Sequence, residues 1–267
     1  DQINVLKEYQ SSDMMDVVFN FNFGSIPRFS VKRLADELKR MENEMPGYPT
    51  LFFGSHDNPR LRTRMADGDL NRAFALTVLT LTARGVPFVY YGEEIGMEDI
   101  TANSLAEIAD IQGRTYYQME IEAGKSMSEA LKEGNYHSRD KSRSPMQWSD
   151  DEYAGFSIVK PWIKIQENYK EINVQRELMS KNSILNDYKR LIALRNSEPA
   201  FQYGEFKDMT LDNNKISYKR AFGESEITVI LNFGQKTKNK LPKDAEIMMG
   251  KTTLLPNKFI IYRTEKR

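Results

Sequence analysis

Along the first hundred residues the spacing of apolar positions switches back and forth between two periods. Residues 15–23, MDVVFNFNF, are rich in Val and Phe and read as a strand. Ser30 is placed to cap a helix running to Met45. Val31, Leu34, Ala35, Leu38, Met41 and Met45 recur on one face at helical spacing. PGYP breaks that pattern. TLFFGS, residues 50–55, is an almost wholly apolar run of the kind buried on both faces of a parallel sheet. Asp69 caps a second helix over residues 70–84, which Gly85-Val86-Pro87 ends. VPFVYYG, residues 86–92, is the third apolar strand. Strand, helix, strand, helix, strand is the order of βαβ units in a parallel sheet.

Beyond residue 102 the texture changes twice. Residues 102–134 are polar and helix-prone. A segment marked by prolines and aromatics follows, from SPMQW through YAGFS to PWI. An amphipathic helix then covers residues 183–196, with Ile184, Leu185, Tyr188, Leu191 and Ile192 inward and Pro199 as its stop. From Phe201 on, short runs such as KISYKRAF, ITVILNFG, AEIMMG and FIIYRT are separated by turns, which predicts a small antiparallel β domain. The fold class read from this is α/β plus all-β, with a first domain over residues 1–198 and a second over residues 199–267.

Composition narrows the function classes. Lys plus Arg and Asp plus Glu both number 38 among the 267 residues, so the net charge is zero. A nucleic-acid partner and a polybasic membrane surface both lack their usual basic footprint. The absence of cysteine excludes disulfides, thiol catalysis and thiolate metal sites, and it fits a reducing cytoplasm. No apolar run reaches the ~18 residues of a spanning helix. The chain starts at Asp1, without an initiator Met or a signal-peptide pattern, and this start reads as a cut inside something longer or a processed end.

Histidine is the scarcest titratable residue here, with two copies, His56 and His137. His56 directly precedes Asp57 at the end of the TLFF run, and Glu93 and Glu94 follow the FVYY run. In a βα barrel, strand ends are where functional side chains gather. Taken alone, His56-Asp57 is also an ordinary turn with a helix cap, and Glu93-Glu94 is also a solvated loop or an ion-pair anchor. His137 reads as a surface residue.

Five stretches in order sharpen this. FFGSHDNPR, GVPFVYYGEEIGM, SRDKSRSPMQWSD, AGFS with PWI, and NYKEINV together resemble the α-amylase superfamily of retaining glycoside hydrolases. The resemblance is to its oligo-1,6-glucosidase branch and extends from about residue 15 to the C-terminus. It implies the C-terminal part of a (β/α)8 barrel, strands 6 to 8, followed by a small antiparallel β-sandwich. It also implies roles. Asp57 matches the carboxylate that binds sugar hydroxyls and stabilises the transition state, His56 its neighbour on the same hydroxyls, and Arg139 an arginine at the non-reducing end of the site. No cofactor and no metal are implied for these residues. Departures lie at Gly54-Ser55 and Lys141, where the branch shows asparagines, and at Tyr91, where Gln is common. Trp148, Phe156 and Trp162 are expected to pin their segment against the barrel rather than to stack on sugar.

The family's nucleophile lies in a Gly-Phe-Arg-x-Asp-like stretch and its acid is a strand-end Glu, and neither pattern occurs before residue 15. Without that pair the double displacement has no nucleophile, so the chain alone is expected to be inert. The substrate class expected of the intact enzyme is short α-linked glucosides. The alternatives are a transglycosylase or sucrose isomerase of the same branch, and a non-catalytic amylase-like domain of the transporter heavy-chain type. Three strands cut from a barrel expose edges and an interior face, which predicts association with itself or with the missing half of the barrel.

Overall fold

The computed structural model describes residues 3–11 and 13–265. The start at Asp1 lies outside the described residues. In chain order the elements begin with α1 (Ile3–Tyr9), α2 (Phe21–Gly24), α3 (Val31–Glu44), β1 (Thr50–Leu51), α4 (Leu61–Arg64), α5 (Leu70–Thr82) and β2 (Val86–Pro87). There follow α6 (Ile111–Glu122), α7 (Met127–His137), α8 (Val174–Met179), α9 (Ile184–Ser197) and α10 (Pro199–Tyr203). The last stretch holds β3 (Glu205–Asp212), β4 (Lys215–Phe222), β5 (Ser225–Asn232), β6 (Thr237–Lys238), β7 (Glu246–Gly250), β8 (Thr253–Leu254) and β9 (Lys258–Glu265). Two compact units emerge. One holds the residues up to Phe53, Asp69–Phe88 and the residues from Lys189 on, and the other holds Gly54–Gly68 and Val89–Tyr188.

In the first unit β1 and β2 pair in parallel, Thr50 with Val86 and Leu51 with Pro87, and α5 lies in the connection between them. The βαβ reading is therefore present, in short form. The expected strand at residues 15–23 is not. Asn20 turns its side chain onto the N–H of Asn22 and caps α2 instead. The segment meets β1 through a side chain: Thr50 Oγ1 accepts from the Asn20 N–H at 2.8 Å and donates to the Val18 carbonyl at 3.1 Å. A local side-chain bond has displaced the ladder that alternation alone predicts. α3 has the predicted cap, Ser30, and buries all six residues of the predicted face.

α5 is buried along ten consecutive residues, Ala73 to Thr82. Its threonines are tolerated there because Thr77, Thr80 and Thr82 donate to the carbonyls four residues back, at 3.2, 3.0 and 2.6 Å. Two arginines close its C-terminal end, where helix carbonyls carry partial negative charge. Arg195 donates to the Leu81 and Gly85 carbonyls, and Arg220 to the Thr82 and Gly204 carbonyls. Arg220 lies on β4 and is fully buried, which pushes its guanidinium down to about 10.

β4 belongs to a five-stranded antiparallel sheet of order β3-β4-β5-β9-β7. Ile216, Tyr218 and Arg220 face the same way as their register partners Leu231, Val229 and Ile227. That face packs on α3, α5 and α10. Ile230 and Ile260 point to the other face and pack with Leu254 of β8. The second layer of this β domain is thus the two-stranded ladder β6-β8. Pro199, read as the stop of α9, is also the first residue of α10, where a missing N–H is harmless. Ile192, expected inward on α9, is exposed, whereas Ile184, Tyr188 and Leu191 are buried.

In the second unit α6 and α7 approach closely through glycines. A Cβ on Gly113 would lie 2.8 Å from the Gly134 carbonyl oxygen, and one on Gly134 would lie 3.1 Å from the Gly113 oxygen. Ser126 and Glu129 form a capping box at the start of α7. Ile95, Met97 and Met146 form the core beneath the strand-end loops, with Ile172, Val174 and Leu185 against it.

Candidate functional site

Residues 54–60 leave β1 as a turn. Ser55 Oγ accepts from the backbone N–H of Asp57 at 3.2 Å and of Asn58 at 3.1 Å. This short hydroxyl-backbone turn presents His56 and Asp57 to solvent, with His56 Nε2 3.1 Å from Asp57 Oδ2. Arg143 secures both: Nε donates to the His56 carbonyl at 2.8 Å and Nη2 to Asp57 Oδ1 at 3.0 Å. Arg139 Nη1 stands 3.7 Å from the same oxygen. All three predicted residues, His56, Asp57 and Arg139, therefore meet at one carboxylate.

The arginine nearest to Asp57 is Arg143, which the sequence reading did not single out. Its signal was the second Ser-Arg pair in SRDKSR. Arg139 spends its planar fork on a protein carboxylate, a fit its geometry favours. Its Nε and Nη2 donate to Asp110 Oδ2 and Oδ1 at 3.1 and 2.8 Å, and its backbone N–H donates to Oδ2 at 2.8 Å. These bonds, Arg139's side chain foremost, hold the buried Asp110 carboxyl down at about 2. Asp140 anchors the frame from behind by accepting from the N–H groups of Ala109 and Asp110 at 2.7 and 2.9 Å. Arg139 is thus clamped, with one guanidinium nitrogen left toward Asp57.

The glutamates at the second strand end are not a solvated loop. Glu93 Oε1 is buried against Gly54, and a Cβ at Gly54 would collide with that oxygen. Burial pushes the Glu93 carboxyl up to about 8, reinforced by Glu94 and opposed by the Arg60 guanidinium. Arg60 is 1% exposed. Its Nη1 donates to the Tyr91 carbonyl at 2.7 Å, its Nη2 to Ser144 Oγ at 3.3 Å, and its backbone N–H to Asp99 Oδ1 at 2.7 Å. Tyr91 donates its hydroxyl to the Ser144 carbonyl at 2.7 Å. Arg60 and Tyr91 together tie the His56-Asp57 loop, the second strand end and the Arg143 segment into one frame.

Beside this frame opens a cavity of about 560 Å³, lined by Tyr91, Glu94, Arg143, Trp148, Phe156 and Trp162 among others. The three aromatics expected to pin their segment do not do so. Trp148 and Phe156 are half-exposed and Trp162 is 82% exposed. Pinning falls to Gln147, which is fully buried and donates to Asn168 Oδ1 at 3.1 Å and the Ile172 carbonyl at 2.6 Å. Between Trp148 and Phe156 the backbone passes through left-handed Tyr153, Ala154 and Gly155, at φ 53°, 58° and 63°. The Ala154 carbonyl accepts from the N–H groups of Trp148 and Ser149 at 2.9 and 3.1 Å. His137 stacks on Tyr116, with centroids 3.5 Å apart, in a place of its own.

Among the described residues no three His, Cys, Asp or Glu side chains are grouped to hold a metal ion, and no helix is long and apolar enough to cross a membrane. The catalytic-domain model of the α-amylase family matches residues 1–204. The oligo-1,6-glucosidase of Parageobacillus thermoglucosidasius is 35% identical over 235 residues, which are 84% of this chain and 42% of that protein. The solved trehalose-6-phosphate hydrolase of Bacillus licheniformis superimposes with a TM-score of 0.87 at 29% identity, over 100% of this chain and 55% of that one. The trehalulose synthase MutB of Pseudomonas mesoacidophila MX-45 does so at 0.87 and 28% identity, over 98% of this chain and 53% of the synthase. The chain spans about two fifths of the length of the curated relatives it matches. On the family match over residues 1–204 and this likeness in structure, the chain belongs to the α-amylase family.

Proposed function

We propose that this chain carries the Asp57 half of the sugar site of a retaining α-glucoside hydrolase acting on short α-linked glucosides. The observation that carries the reading is one exposed carboxylate, Asp57, with His56, Arg143 and Arg139 all converging on it. Vicinal sugar hydroxyls would donate to Asp57, with His56 and the one guanidinium nitrogen of Arg139 not bound to Asp110, Nη1, on their oxygens. As positive charge builds on the ring, those hydroxyls become stronger donors, so the bonds tighten in the transition state and lower the barrier. Asp57 is the stabiliser in this scheme, His56 and Arg139 bind substrate, and Arg143 positions Asp57.

Nucleophile and acid of a retaining enzyme stand ~5 Å apart, and this sequence contains no Gly-Phe-Arg-x-Asp stretch to supply the first. The chain alone is therefore inert. Its partner in catalysis is the other half of the barrel, and in the absence of that half it associates with itself. The cysteine-free sequence supports a cytoplasmic setting. A second reading, a sucrose isomerase, is favoured by the likeness to the trehalulose synthase; it uses the same Asp57 and differs in how water is kept out.

The test is aryl α-glucoside hydrolysis. Purified chain releases no aglycone. Mixing it with the N-terminal portion of an oligo-1,6-glucosidase restores release, and Asp57→Asn in this chain removes it by on the order of a thousandfold. Turnover by the chain alone, or restored turnover indifferent to Asp57, overturns the proposal.

A further inference from the structure

Arg143 is the arginine closest to Asp57, and the backbone on either side of it is held by two phenols. Its neighbours Ser142 and Ser144 are fully buried. The Tyr91 hydroxyl donates to the Ser144 carbonyl at 2.7 Å and stands 3.4 Å from the Ser142 carbonyl. The Tyr90 hydroxyl donates to the Ser142 carbonyl at 3.3 Å. The carbonyls before and after one arginine are thus clasped by two adjacent tyrosines.

Successive side chains of a regular strand point to opposite faces, so neighbouring tyrosines do not ordinarily converge on one segment. Here the chain has left the β2 ladder, and the two rings lie 4.6 Å apart at their centroids. Buried Arg60 holds them there. Its guanidinium lies 4.8 Å from the Tyr91 centroid and 5.6 Å from that of Tyr90, a cation–π contact that strengthens where water is excluded. The same guanidinium donates to Ser144 Oγ, so rings and clasped segment share one anchor.

Arg143 needs this support. A long side chain loses much rotamer freedom when it is fixed in one pose. Bonding the His56 carbonyl through Nε and Asp57 through Nη2 together restricts where its Cα can lie. We infer that Tyr91, assisted by Tyr90 and Arg60, is the positioning residue of Arg143, and through Arg143 presents the Asp57 carboxylate to sugar. The purpose of the clasp rests on the Asp57 reading, its geometry does not, and the experiment separates the two.

The probe is the Nε–H resonance of Arg143 in isotope-labelled chain, assigned by its loss in Arg143→Lys. Its bond to the His56 carbonyl slows exchange with water. Tyr91→Phe keeps the ring on Arg60 and removes the hydroxyl, and it is expected to speed this exchange on the order of tenfold. Tyr90→Phe, which removes a longer bond, is expected to speed it less. Ser126→Ala breaks the capping box of α7 and controls for general loosening. It is expected to lower the melting temperature at least as much as Tyr91→Phe and to leave the Arg143 exchange unchanged. Glucose titrated into the chain then reads the purpose through the His56 imidazole resonances, with His137 on its Tyr116 stack as reference. Tyr91→Phe is expected to weaken glucose by on the order of fivefold. Unchanged exchange in Tyr91→Phe overturns the clasp, as does equal acceleration in Ser126→Ala. Faster exchange with undiminished glucose affinity overturns the positioning role. A wild-type chain whose His56 is silent to glucose overturns the Asp57 reading and the purpose with it, while the exchange still decides the clasp.

Discussion

At the scale of single residues, the pair that decides the geometry under the site is Gly54 and Glu93. Any side chain at 54 must displace the Glu93 carboxylate, so Gly54→Ala should destabilise the fold by about 1–3 kcal/mol. Much of that loss should return in Gly54→Ala/Glu93→Ala, because the clash is pairwise. Urea denaturation of the cycle measures it; equal, additive losses would refute the contact. The same glutamate gives a pH dependence. Its folded pKa, about 8, lies above its ordinary 4.5, so the fold favours the protonated form. Its contribution is fully present below pH 4.5 and is lost as pH rises toward 8. Glu93→Gln should flatten that decline, with Arg60, Arg64 and Glu94 left as the charges around it. Asp110 works in the opposite direction. Held at about 2 against an ordinary 3.8, it adds stability above pH 3.8 that disappears on acidification toward pH 2, so Asp110→Asn should remove the acid-side limb. Stability profiles of the two variants from pH 2 to 9 check both signs. His56 and Asp57 were legible because a scarce residue stood at the end of an apolar run. Asp110 was not, because its link to Arg139 spans 29 residues and leaves no local pattern. Of the readings open for Glu93, only the solvated loop fails, because a charged dipeptide ordinarily means solvent and here its carboxylate is buried.

Among the elements, those whose signals were local were the ones the sequence announced. Ser30 and Asp69 cap the helices they were expected to cap. Asp69 Oδ1 accepts from the N–H groups of Asn71 and Arg72 at 2.8 and 3.1 Å, while Oδ2 accepts from Asn257 Nδ2 at 2.7 Å. Asp69→Ala should therefore lower stability by about 1–2 kcal/mol, and a thermal melt with a shift of less than a degree would contradict this. β3 went unnoticed because EFKDMTLD is mostly polar and mostly at the surface, with a register shift between Lys207 and Thr210 where Asp208 takes a left-handed φ of 52°. The β1 and β2 runs were read too long. The last ladder bond runs from the Phe88 N–H to the Leu51 carbonyl, and beyond it the Tyr91 carbonyl accepts from Arg60; periodicity holds no information about such partners.

For the molecule as a whole, the first unit carries an aromatic cluster with one side open. Phe19 packs 5.4 Å from Phe52 and 4.8 Å from Phe88, and Phe21 packs 5.6 Å from Phe52. Phe52 is buried, while Phe19, Phe21 and Phe88 remain exposed. Water-facing rings in contact favour association. Phe19→Ser/Phe88→Ser should shift the light-scattering mass of the chain at micromolar concentration toward a monomer; a wild-type chain already monomeric there would contradict the expectation. The division into units has a different kind of consequence. The unit that holds the candidate site is discontinuous: Val89–Tyr188 leaves the first unit and returns to it, with first-unit chain on both sides. A single protease cut within that stretch therefore yields two fragments that each keep a share of the first unit. The β1-β2 pair and α5 stay with one fragment, and the five-stranded sheet that packs on α5 stays with the other. Such a nicked molecule migrates as two bands once denatured, yet under native conditions it is held together by the first unit's own core.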